Sequence, residues 1–152
     1  ILAALARNAS QPQEAQNLHQ AVATDHDGSI LDNVLGYVQS PQTADGSAIL
    51  GHVFGNQRPA IENNLAQAAG VDQGSAAGLL ETLAPLVMGS LGKAQHENAL
   101  DADGLSNLLN NQQEEARTNA PDAMGMLSSM LDQNQDGSSI DDLKRMAASF
   151  FK

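Results

Sequence analysis

Apolar residues in this chain recur every three or four positions and almost never every second one. That spacing lines one side of a helix and leaves no alternating strand pattern. Leu18 and Val22 follow it, as do Ile49, Leu50, Val53 and Phe54, then Leu79, Leu80 and Leu83, then Ile140, Leu143, Met146 and Phe150. Short breaks of Pro, Gly, Asp and Asn separate these stripes, so each helix should be brief. The expected fold class is all-α, a multihelical bundle of short helices. Residue usage agrees: aromatics make up 3% and hydrophobics 41% with no Trp, so Leu, Ala, Val, Ile and Met must fill the core. The 152 residues suffice for one compact domain, and zero Cys removes disulfides, thiolate nucleophiles and Cys-held zinc.

Capping chemistry places the boundaries. Ile1 to Ala9 reads as a helix, and Ser10-Gln11-Pro12-Gln13 reads as a capping box with Pro in the first turn of the next. "TDHDG" breaks the chain before a stripe formed by Ile30, Leu31, Val34, Leu35 and Val38. The stretch around "QSPQTADG", residues 40–48, is the expected linker. Pro59 should open a helix carrying Ile61 and Leu65, Gly70 should end it in a left-handed conformation, and Asp72 should cap its successor. Pro85 removes one backbone donor and should kink or restart that successor before Leu86, Val87, Met88 and Leu91. "LDADGLSNLLNN" predicts a short helix after an Asp-Gly turn, followed by the polar "NQQEEARTNA" as a solvated helix end or loop. Asn119 and Pro121 should start a helix bearing Met124, Leu127, Met130 and Leu131, with the methionines as adaptable core.

Two segments repeat. "TDHDGSILDNVL" (Thr24 to Leu35) parallels "QNQDGSSIDDLK" (Gln133 to Lys144), and upstream "ILAALARNA" parallels "LVMGSLGKA" in the same order. A duplicated helical unit follows, with 1–39 as a partial first copy, 40–48 as linker and 49–152 as the second copy. The chain also resembles a family of uncharacterised bacterial proteins, the YidB-like domain of unknown function. "ILGHVFG", "AAGLLETLAPLVMGSLGK" and the two "DGS" segments with their downstream acids carry the resemblance. It implies an all-helical bundle and no established activity. Members usually have further helices before the position of Ile1. The apolar face of Ile1, Leu2 and Leu5 is therefore expected to be covered by a second chain or by a longer native polypeptide.

One stretch suggests a chemistry. "LDQNQDGSSIDDL" places Asp132, Asn134, Asp136, Gly137 and Ser138 at the ligand and bend positions of an EF-hand calcium loop. The closing acid is displaced: its position is Leu143, so Asp142 would close the loop, with Asp141 as a poorer substitute. The same residues make a tight Asp-Gly turn followed by a Ser139-x-x-Asp142 capping box, and both readings stay open. In the first copy Ala23 replaces Asp132, leaving Asp25, Asp27 and Ser29 with Asp32 or Asn33. Fewer anionic ligands favour turn and cap there. Calcium is the one cofactor the sequence points to.

Other chemistries find no support. His19, His26, His52 and His96 are widely spaced with no metal-ligand pattern, and no nucleophile elbow or phosphate-cradling loop is present. Seven Lys and Arg against 18 Asp and Glu give a net charge of -11, which repels nucleic acid. The apolar runs look too short to span a membrane. The sequence thus reads as a noncatalytic, acidic helical module, expected in the cytoplasm and acting through a protein partner or self-association. An enzyme or small-molecule-binding protein with a pocket between the repeat halves is the competing reading.

Overall fold

A computed structural model describes residues 1–122, and every described element is helical. The order is α1 (Leu2–Ala9), α2 (Pro12–Asp25), a 3-10 turn (Ser29–Asn33), α3 (Val34–Gln39) and α4 (Thr43–Phe54). A second 3-10 turn (Gly55–Gln57) leads to α5 (Arg58–Ala69), α6 (Gln73–Asn98) and α7 (Ala102–Asn119). A compact unit spans Ile1–Gln113, and the chain from Glu114 onward belongs to a second unit. The second Asp-Gly loop, its candidate ligands Asp132, Asn134, Asp136, Ser138 and Asp142, and the methionine helix lie outside the described residues.

The centre of the first unit is α6, which packs against α2, α4, α5 and the first 3-10 turn. Leu5, Val22, Leu50, Phe54, Ile61 and Met88 are buried around it, and Leu105 with Leu109 buries one face of α7. Several boundaries fall where local chemistry put them. Pro12 and Pro59 sit in the first turns of α2 and α5. Gly70 ends α5 at φ 68°, where Val71 N–H reaches the Ala66 carbonyl at 3.0 Å. The Asp72 carboxylate then accepts from the Ser75 amide at 3.0 Å and caps α6.

Several expectations need revision. Ser10 does not cap α2: its hydroxyl donates back to the Arg7 carbonyl at 2.6 Å, so it closes α1, and Gln11 stands at the α2 start without a side-chain cap. Of the two outcomes expected at Pro85, a kink or a restart, the restart does not occur, since α6 runs unbroken for 26 residues. The missing Pro donor costs one hydrogen bond, and burial of Ala84, Pro85 and Met88 holds the helix together there. That continuity also makes α6 long and apolar enough to cross a membrane by length and composition, with a mean hydropathy of 1.2 over an 18-residue stretch. It nevertheless serves as the packed central helix of its unit.

The stripe from Ile30 to Val38 is split. The 3-10 turn advances the chain by three residues per turn, and Asn33 then breaks it at φ -140° to cap α3 through the Gly36 amide at 3.1 Å. Ile30 therefore packs toward Gly89 of α6, whereas Val34, Leu35 and Val38 are exposed. The linker is also shorter than expected, because the chain is helical from Thr43. Finally, Leu5 is only 2% exposed and the alanines around it are buried, while Ile1 and Leu2 are half-buried, so the chain itself covers part of that face of α1. The two upstream repeat segments are both helical, but the first ends its helix at Ala9 and the second lies within α6.

Candidate functional site

The first Asp-Gly segment is built as a turn that docks on α6. Asp25 closes the last turn of α2, and His26 leaves helical geometry. The Asp27 carboxylate accepts from the Ser29 amide at 2.9 Å in an Asx turn, and hydrogen bonds from the Ser29 side chain and amide hold its pKa below the usual carboxylate value. Gly28 follows at φ 92°, and a side chain there would press on the Cβ of Lys93. Asp32 is exposed on the 3-10 turn. Asp25, Asp27, Ser29 and Asp32 thus occupy successive places along a bending chain. Among the described residues, no three His or acid side chains come together in a group that could hold a metal ion.

Glycines set the closeness of this docking. A Cβ on Gly92 would overlap the His26 carbonyl oxygen, and one on Gly89 would overlap the side chain of Ile30. The same device joins α4 to α6, where Gly46 lies directly against the Glu81 backbone. Beside that contact Arg58 ties three helices. Its guanidinium donates to Glu62 at 2.6 Å, to Glu81 at 2.6 Å and to the Ser47 carbonyl at 3.0 Å. Glu62 is buried and Arg58 only partly exposed, so this is a held ion-pair cluster rather than a solvated one. Sequence reading missed Arg58, although its position one residue before a helix-opening Pro and four before Glu62 offered a signal.

The cleft beside the loop is the other candidate. It measures about 920 Å³ and opens between α1, α2, α4 and α6. Leu18, Ile49, Val53 and Met88 form apolar walls. Glu14, Asp25 and Asp45 stand around it with His26 and His52. Partial burial lowers the His26 pKa, while Asp25 and Asp45 pull the other way, which places both carboxylates within electrostatic reach of the ring. Asn8 donates to the Val53 carbonyl at 3.2 Å and fixes α1 to α4 at this cleft. Residues Leu5 to His26 supply one side of it, and Asp45 to Val53 with Met88 the other. Neither His26 nor His52 was singled out for such a role, because the lining is drawn together from four separate helices.

The family model described as "Bacterial protein of unknown function (DUF937)" matches residues 1–95. The chain belongs to this bacterial family, whose description assigns no activity. No curated protein and no solved structure matches it.

Proposed function

We propose that this chain is a noncatalytic helical module that works by associating with a second copy of itself through an uncharged apolar surface. One observation carries the reading. Residues 33–44, "NVLGYVQSPQTA", hold no charged side chain, and within them Val34, Leu35 and Val38 are exposed, Leu35 by 79%. The first two turns of α6 repeat the pattern: Gln73 to Leu80 carry no charge and Leu79 is 54% exposed, while Leu83, 41% exposed, follows Glu81, whose carboxylate is held by Arg58. Two copies with a net charge of -11 repel each other, and a surface without acids is where they can meet at least electrostatic cost.

The noncatalytic part is supported by how the acids are used. Asp27, Asp72 and Asp101 accept from backbone amides, and Glu62 and Glu81 are held by Arg58. Sedimentation velocity across a concentration series tests the association. A dimer fraction that rises with concentration and with added salt is expected, because salt screens the like charges and leaves apolar contact intact. Leu35→Ser with Leu83→Ser should weaken association by about tenfold or more. A monomer at every concentration and salt would refute the reading.

Stabilisation by calcium is a second part of the proposal. It is supported by the residue order at Asp132, Asn134, Asp136, Ser138 and Asp142. Calorimetric titration of the metal-free protein with calcium checks it. Heat of binding with a raised melting temperature, both lost in Asp136→Ala, is the expected result. An unchanged melting curve at millimolar calcium would leave only the turn-and-cap role.

A further inference from the structure

We infer that the cleft between α1, α2, α4 and α6 binds an organic cation with an apolar body, such as an alkyl amine. This goes beyond self-association and uses a different surface. The volume, about 920 Å³, falls within the range of small-molecule sites. Leu18, Ile49, Val53 and Met88 offer a wall that a hydrocarbon chain can cover, releasing water from both.

The rim decides the sign of the headgroup. Glu14, Asp25 and Asp45 come from α2 and α4 and face the same opening, and among the described residues no Lys or Arg lines it. Partial burial lowers the His26 pKa against the pull of Asp25 and Asp45, so that ring does not supply the balancing charge at neutral pH. A carboxylate or phosphate ligand would therefore meet three like charges. A cation meets three opposite ones, spread around the opening rather than gathered into a chelating group. A soft organic headgroup suits that arrangement, because it needs a field and not a fixed set of short bonds. The apolar wall then discriminates in favour of a hydrophobic amine over a small hydrated cation.

Isothermal titration of the full 152-residue chain with three eight-carbon probes tests this: octylamine, octanol and octanoate, each kept below its aggregation concentration. Octylamine should bind with a negative heat-capacity change, octanol more weakly, and octanoate weakest. In the double variant Asp25→Asn with Asp45→Asn, octylamine affinity should fall about threefold to tenfold while octanol is unchanged. Both aspartates are exposed, so the variant keeps the packing. A charge-matched control, Asp101→Asn with Asp103→Asn, lies outside the cleft and should leave octylamine affinity as in the wild type. Ile49→Trp, which fills the cleft, should abolish binding of both octylamine and octanol, with circular dichroism confirming an intact helical fold. The inference is overturned if octanoate binds as well as octylamine, if no probe binds, or if the control weakens the amine as much as the rim variant does.

Discussion

The two halves of α6 solve the same packing problem in opposite ways. From Met88 to Gln95 the helix is covered closely: Gly89 and Gly92 admit the Asp-Gly loop so near that no side chain fits between. From Gln73 to Leu83 the helix buries Ala76 and Leu80 on one side, is tied through Glu81 to Arg58, and leaves Leu79 and Leu83 in solvent. One half is finished within the chain. The other leaves apolar side chains exposed on either side of Glu81, whose carboxylate is held by Arg58, and the proposed self-association would cover them. The difference teaches that glycine in a helix has no fixed meaning: at position 92 it permits contact, whereas at position 78 it has no neighbour within 4 Å.

Substitutions in the two halves should separate these roles. Gly92→Ala should be the most damaging, losing about 2–4 kcal/mol in denaturant unfolding, because the new methyl overlaps the His26 carbonyl and the loop must lift away. A loss under about 0.5 kcal/mol would show that the loop docks more loosely than described. Arg58→Met should cost about 2–3 kcal/mol, since it leaves buried Glu62 without its cation. Restoration in the triple variant Arg58→Met, Glu62→Gln, Glu81→Gln would confirm that the unpaired acids are the cause.

Gly78→Ala should act in the other direction. It is a helix-interior glycine in open space, so alanine should stabilise by about 0.5–1 kcal/mol. Opposite signs for the same change at positions 78 and 92 are the sharpest internal check on the comparison.

The smallest effect concerns the helix start. Hydrogen bonds from Ser75 hold the Asp72 carboxyl below its ordinary value of 3.8, so the folded state binds its proton less readily than the unfolded chain does. The cap is fully formed above that value and is lost as pH falls through the depressed one. Unfolding curves of wild type and Asp72→Ala should therefore differ at neutral pH and converge in acid. A difference that persists unchanged to about pH 2 would mean that the carboxylate charge contributes nothing.

What the sequence revealed was mostly local. Gly70 and Asp72 were legible because a left-handed stop and an N-cap depend on a few neighbouring residues. The exposure of Val34, Leu35 and Val38 was not, because a 3-10 turn keeps the apolar spacing while changing the direction in which it points. Ser10 was assigned to the wrong helix since a hydroxyl between two helices can serve either end. The Arg58 cluster joins residues 47, 58, 62 and 81, and the cleft joins residues from Leu5 to Met88. Contacts across such separations leave no periodic trace. The burial of Leu5 belongs to the same class, because α1 packs against α4 as well as against its neighbour α2.

Hydroxyl-radical footprinting of the intact protein at low and high concentration tests the contrast between the two halves of α6 most directly. Oxidation of Leu35, Leu79 and Leu83 should be strong in dilute solution and fall as concentration rises, while buried Met88 and Leu91 stay protected throughout. Oxidation at Leu35, Leu79 and Leu83 that does not change with concentration would contradict the account.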